Sequence, residues 1–154
     1  MLNTVAATSD MTTLRRLDHV AILVQNTDQA VLAFSGRLGL AVVYEDVLVA
    51  PHVKLTYLDV GNAYLQLVEP LDGSSDLARQ LEIQGEGLHH VCFGVDDVRA
   101  AIAALSAPDS PPPLGQGRGR MSGFVGNGLV HGVRLECTEF RHDADVERSP
   151  GWVA

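Results

Sequence analysis

The chain has 154 residues, enough for one well-buried domain and short for two. Its 46% hydrophobic and 19% charged content is that of an ordinary globular protein. A formal charge of −8, with Lys54 the single lysine and no arginine-rich stripe, excludes a nucleic-acid binder, which needs a basic face to neutralise phosphates. No stretch approaches the ~20 apolar residues of a membrane span. The first residues lack the charged start and apolar run of a signal peptide. Two cysteines, Cys92 and Cys137, suit a reducing, cytoplasmic setting. On alternating strands Cys92 shares a face with His90, whereas Cys137 turns away from Glu136, which argues against a disulfide between them.

Residues 1–13 are small and polar without a period and read as an N-terminal tail. Residues 15–24 alternate and are rich in β-branched types, which predicts a strand. Asn26-Thr27-Asp28 is a helix start, and Ala30, Val31, Phe34 and Leu38 keep helical spacing up to Gly39. Strands follow near 41–48, 53–60 and 62–69, the last two joined by a turn at Val60-Gly61-Asn62. This half therefore reads β-α-β-β-β. A connector over 71–87 carries a short helix from Asp76 to Gln84.

The order then repeats. Strand 88–95 precedes the helix start Asp96-Asp97. Val98, Ala101, Ile102 and Leu105 form an apolar stripe, and Pro108 with Pro111-Pro112-Pro113 ends it. Gly115-Gln116-Gly117-Arg118-Gly119-Arg120 reads as a flexible loop, with strands near 121–126 and 132–139 after it. A third strand near the prolines is the weakest element of this half. Residues 141–154 read as a C-terminal tail. The expected architecture is a single α+β domain over 14–140, with modules at about 14–70 and 86–140 that pair two βαβββ units into a cup-shaped mixed sheet with flanking helices.

The repeat is also chemical. Leu17-Asp18-His19-Val20 is echoed by Leu88-His89-His90-Val91, with His19 and His90 71 positions apart. Tyr64-Leu65-Gln66-Leu67 is echoed by Arg134-Leu135-Glu136-Cys137, with Gln66 and Glu136 70 apart. Each half thus supplies one strand-borne histidine and one strand-borne oxygen donor. Two imidazoles and two oxygens suit a divalent metal. Glu136 is the strongest member, because a carboxylate between apolar strand residues is costly unless paired or coordinated. Strand alternation turns His89 away from His90 and gives it a structural place. His52, His131 and His142 fall in loops or a tail, where solvation is the default.

These segments resemble the vicinal oxygen chelate (glyoxalase-like) superfamily, and within it the methylmalonyl-CoA epimerases. The resemblance rests on Asp18-His19-Val20, Leu38-Gly39-Leu40, Gly61-Asn62 and Glu69-Pro70-Leu71. It continues in Gly85-Glu86-Gly87-Leu88-His89-His90-Val91, Val95-Asp96-Asp97-Val98 and Gly132-Val133-Arg134-Leu135-Glu136. It implies one divalent cation (cobalt, manganese, zinc or nickel) on His19, Gln66, His90 and Glu136. The chelated substrate would be a 2-substituted malonyl thioester, epimerised through an enolate whose charge the metal stabilises. It further implies an acyl-CoA or other enolisable carbonyl substrate and a homodimer.

Three departures stand out. The segment before the third strand reads Val49-Ala50-Pro51-His52-Val53, and Lys54-Leu55 follow where some members place a glutamate base. Lys54 is then the remaining candidate, beside Glu136, for a proton-transfer role. Gly126-Asn127-Gly128 replaces a His-Pro-Lys-like turn that holds substrate. Asn127, Arg118 and Arg120 become the candidates for substrate contact. The alternatives are a divergent metal-dependent isomerase, lyase or cyclase acting on another enolisable carbonyl compound, and a non-catalytic small-molecule binding or resistance protein.

Overall fold

The computed structural model describes residues 14–106, 113–126 and 129–141. The tail expected at 1–13, the tail expected at 141–154 apart from Arg141, and Asn127 lie outside these described residues. Eight strands form one mixed sheet: β1 (Leu14–Leu23), β2 (Ala41–Leu48), β3 (Val53–Asp59), β4 (Tyr64–Pro70), β5 (Gly87–Val95), β6 (Leu114–Gly117), β7 (Arg120–Phe124) and β8 (Leu135–Glu139). Three helices accompany them: α1 (Thr27–Leu38), α2 (Asp76–Gln84) and α3 (Val98–Leu105). The strand order is β2-β3-β4-β1-β5-β8-β7-β6. The two βαβββ halves therefore meet at the antiparallel β1–β5 pair, and each central strand has a parallel neighbour, β4 for β1 and β8 for β5. The mixed sheet with three helices is the architecture expected of two paired βαβββ modules.

Alternation divides the sheet into two faces. His19, Ala21 and Leu23 look into the concavity with Gln66 and Val68 of β4 and Val53, Leu55 and Tyr57 of β3. The other parity, including Ile22, Val24, Leu58, Leu65 and Leu67, faces Ala30, Val31 and Phe34 of α1. Leu58 and Leu67 are completely buried there, which contributes about 1.5–3 kcal/mol each. The second half repeats this, with Ala101 and Ile102 of α3 against Val95, Val125 and Cys137. The helices are stopped locally. Asn26 caps α1 by accepting from Gln29 N, and Gly39 ends it in the left-handed region at φ 71°. Asp97 caps α3 by accepting from Ala100 N at 3.0 Å.

The glycine-rich stretch expected to be a flexible loop is instead a hairpin. β6 and β7 pair from Leu114↔Gly123 to Gly117↔Arg120, around Arg118 and Gly119 at φ 53° and 66°. Two consecutive positive φ values give the turn whose twist matches that of the flanking strands. β6 is the third strand that the sequence marked only weakly, starting just beyond the prolines. β8 begins at Leu135, later than expected, because His131-Gly132 forms another tight turn, at φ 49° and 82°, between bridged Val130 and Val133. Cys92 and Cys137 are both buried free thiols. Among the described residues no helix is long and apolar enough to cross a membrane.

Candidate metal centre

The strand register explains why the four expected ligands share one place. Across β1 and β5, His19 pairs with Cys92 and Ala21 with His90, so the histidines are diagonal neighbours. In the parallel pairs, Ala21 sits beside Gln66 and Cys92 beside Glu136. Each oxygen donor thus flanks the small residue two positions after its module's histidine. All four side chains are buried: His19 3%, Gln66 4%, His90 7% and Glu136 8% exposed.

The functional atoms crowd together. His19 Nε2 lies 3.2 Å from His90 Nε2, and Glu136 Oε2 lies 3.2 Å from His19 Nε2 and 2.9 Å from His90 Nε2. Glu136 Oε2 has no hydrogen-bond partner of adequate geometry, and neither has Gln66 Oε1. The Gln66 amide is fixed from its other end, where Nε2 donates to the Tyr57 hydroxyl at 2.5 Å. Buried oxygens without donors are costly. Lone pairs this close repel unless a cation or protons lie among them. The donor chemistry, two imidazoles with a carboxylate and an amide oxygen, therefore fits a divalent first-row metal. The donor atoms of His19, His90 and Glu136 lie within 4.8 Å of one another.

Both histidines are oriented through Nδ1. His19 Nδ1 meets Asp18 Oδ1 at 2.7 Å. Donation from Nδ1–H leaves the Nε2 lone pair toward the ligand set. Asp18, 1% exposed, also accepts from Arg118 at 2.6 Å. Burial alone would raise the Asp18 carboxyl, but its bonds and charge interactions with His19 and Arg118 outweigh this and hold it below the usual range. Burial lowers His19, yet Asp18 and Glu136 outweigh it and raise that imidazole. Glu136 follows the same balance: burial raises it, and His90 and His19 hold it well below the usual carboxylate range. It is a carboxylate suited to ligation.

His90 Nδ1 meets His89 Nδ1 at 2.7 Å. His89 does not turn away as alternation suggested. The register jumps from Ala21↔His90 to Ile22↔Leu88, so His89 is an extra residue in a β-bulge that rotates it into the cavity. Asp18 occupies the matching bulge on β1, between the pairs Leu17↔Phe93 and His19↔Cys92. Strict period-two reading misses both residues. The signal that was available for Asp18 is its carboxylate directly before a ligand histidine.

A cavity of about 660 Å³ opens over the metal set. Apolar Leu48, Val53, Leu55 and Val68 line one side, and Ser122, Phe124, Arg134 and Thr138 the other. Lys54 is not among its walls. It has the opposite parity to Val53 and Leu55, and its Nζ lies 3.5 Å from Glu45 and 3.9 Å from Asp28. Strand alternation thus carries Lys54 to the other face, away from the proton-transfer position expected of it. Arg118, a candidate for substrate contact, is not among the cavity's lining residues either. Its side chain is 8% exposed, paired with Asp18, and stacked 4.9 Å from Tyr57 and 4.7 Å from Tyr64. Arg120 is buried with Nη1 donating to the Glu139 carbonyl at 3.3 Å, outside the cavity wall.

A profile of the Glyoxalase/Bleomycin resistance protein/Dioxygenase superfamily matches residues 18–118. YqjC of Bacillus subtilis (strain 168), an uncharacterized protein, is 30% identical over 139 residues, 87% of this chain and 99% of that one. The mitochondrial methylmalonyl-CoA epimerase of Homo sapiens is 35% identical over 100 residues, 64% of this chain and 56% of its own. The match thus spans about half the length of that relative. Among solved structures, a methylmalonyl-CoA epimerase in complex with methylmalonyl-CoA and NH4+ aligns with a TM-score of 0.75 at 28% identity, covering 84% of this chain and 97% of that one.

Proposed function

Because the chain belongs to the Glyoxalase/Bleomycin resistance protein/Dioxygenase superfamily, we propose that it is a divalent-metal-dependent epimerase of methylmalonyl-CoA or a related 2-substituted malonyl thioester. The observation that carries this reading is the buried, unpartnered Glu136 Oε2 beside the Nε2 atoms of His19 and His90, with a second unpartnered oxygen, Gln66 Oε1, on the strand next to His19. His19, Gln66, His90 and Glu136 would hold the ion. Once held, a divalent ion supplies Lewis-acid stabilisation of negative charge developing on a carbonyl oxygen.

The chain's own residues do the rest. Asp18, backed by Arg118, keeps His19 in the tautomer that presents Nε2. Tyr57 holds the Gln66 amide through Nε2, which leaves Oε1 unpartnered and available as an oxygen donor. The apolar wall of Leu55 and Val68 excludes water from the reacting carbon. Glu136 is the candidate acid or base on its side of the substrate, although its ionisation favours ligation over proton transfer. The opposite side presents Leu55 and Tyr57. Burial pushes the Tyr57 hydroxyl far above its ordinary value, which makes it no base at neutral pH.

That bare β3 face favours a second reading: an isomerase, lyase or cyclase of the same fold acting on another enolisable carbonyl compound with a single proton-transfer residue. Two measurements separate the readings. Metal analysis of purified protein should give close to one divalent ion per chain, lost in His90→Ala. Incubation with methylmalonyl-CoA in deuterated water should then place deuterium at the α-carbon. Metal without exchange leaves the second reading, and a metal-free, folded, unaffected protein removes both. We also propose a cytoplasmic homodimer, a setting in keeping with the two free thiols.

A further inference from the structure

Two buried donors beside the metal set are used by nothing described so far. His89 Nε2 and Arg134 Nε are both buried without a hydrogen-bond partner. His89 is 9% exposed. Its Nδ1 is taken by His90 Nδ1 at 2.7 Å. With His90 presenting Nε2 to the ligand set, its Nδ1–H must donate, so His89 accepts there and carries its hydrogen on Nε2. That N–H is left over, on a ring that lines the cavity.

Arg134 reaches the same wall by strand parity. It precedes β8 in step with Glu136 and Thr138, and all three line the cavity. Its backbone carbonyl accepts from Val91 N at 3.0 Å, which ties it to β5 next to His89 and His90. Phe124 packs edge-on to His89 at 6.2 Å and to His90 at 5.0 Å, so the surroundings are apolar. In such a place a charge-assisted bond to an anion is strong, and an unused donor is costly.

We infer that His89 Nε2–H and the Arg134 guanidinium form a donor pair that receives a carboxylate of the substrate beside the metal set. The inference rests on the proposed function: it assigns residues to the carboxylate that a malonyl thioester carries, and limits the second reading to enolisable carbonyl compounds with a carboxylate next to the reacting carbon. Arg134 and His89 are then binding residues that set which compounds enter in productive orientation.

The test uses the cobalt-loaded full chain. Malonate and uncharged malonamide are titrated calorimetrically into wild type, Arg134→Leu, Arg134→Lys and His89→Phe, with bound cobalt measured in each. Malonate affinity should fall about ten- to hundredfold in Arg134→Leu at unchanged cobalt content. Arg134→Lys should recover part of it, and malonamide should bind alike throughout. Wild-type malonate affinity in both Arg134→Leu and His89→Phe overturns the inference. So does a loss that merely tracks lost cobalt, which would make these residues supports of Glu136 and His90. Should Arg134→Leu not fold, Arg134→Lys decides: it keeps charge and length but lacks the fork, so a several-fold loss supports the pair and wild-type affinity overturns it. Arg134-dependent malonate binding without deuterium exchange on methylmalonyl-CoA removes the epimerase reading and keeps the donor pair. Exchange by wild type with an unchanged KM in Arg134→Leu does the reverse.

Discussion

The two modules present equivalent histidines but hold them differently. In the first, the bulge residue is Asp18, an ionised carboxylate that is itself anchored by Arg118. In the second it is His89, a neutral imidazole whose far nitrogen has no partner. A charge-assisted bond is about twice as strong as a neutral one, so His19 is the more firmly set of the two proposed ligands and His90 the softer one. The difference also divides labour. The first module's support is closed off by Arg118 and does not line the cavity, while the second module's support faces the cavity and remains available to a ligand. Duplication supplied the frame, and one position before each histidine turned one half toward rigidity and the other toward binding.

The largest effect should come from attacking the rigid half. Asp18→Ala leaves a buried Arg118 without its counter-charge, which costs about 3–5 kcal/mol, read as a lower urea midpoint. Adding Arg118→Met should recover part of that loss, since the stranded charge is then gone. If the single variant unfolds like wild type, the supports do not differ in the way described. Next in size is metal affinity. Asp18→Asn should weaken it about 10–100-fold, measured by competition with a chelator, and His89→Phe should fall at or below the lower end of that range. Equal losses would erase the asymmetry.

The acid limb of stability sharpens the comparison further. Burial, His90 and Arg134 lower His89 to about 4, below the ~6.5 of an unfolded histidine. The neutral folded form is therefore favoured, and its contribution is complete above about pH 6.5 and lost as the pH falls toward 4. His19, raised by Asp18 and Glu136 against burial, has the opposite sign and stabilises below about 6.5, losing this as the pH rises through its folded value. In metal-free protein, His89→Phe should flatten the decline in thermal midpoint between pH 6.5 and 4, whereas His19→Phe should alter the alkaline side. The smallest effect belongs to Lys54→Met. Its pairs with Glu45 and Asp28 involve carboxylates that are 53% and 91% exposed, so stability should move by less than about 1 kcal/mol. Exchange kinetics should stay at wild-type level, and a collapse of turnover would return Lys54 to the chemistry.

Much of the frame was legible because it rests on periodicity. The strands up to β5, the helix over 76–84 and the cap at Asn26 all follow from alternation, helical spacing and capping chemistry. The four converging side chains were legible from the echo between His19 and His90 and between Gln66 and Glu136. What escaped the sequence lies where period two breaks. Each bulge adds one residue and shifts parity, so strict alternation turns His89 to the wrong face and gives Asp18 no role beyond its motif. The β6–β7 hairpin was hidden because Arg118 takes a positive φ that arginine seldom adopts, among glycines that mimic a loop. In a loop Arg118 reads as a substrate contact, whereas the hairpin makes it the buried partner of Asp18. Arg134 was readable, being in step with Glu136, yet its use depends on what His89 leaves open.

Arg118 and Asp18 are 100 positions apart. The first strand's histidine therefore waits for the turn of the penultimate hairpin before its ring is pinned. Such a long loop closes late, because its entropy must be met before the contact rewards it. A chain ending before the β6–β7 turn would carry three of the four proposed ligands, His19, Gln66 and His90, with the Asp18 that orients His19 not yet anchored by Arg118. Ion capture should accordingly follow refolding of the C-terminal hairpin in time, which makes the metal a stopwatch for the last step of assembly.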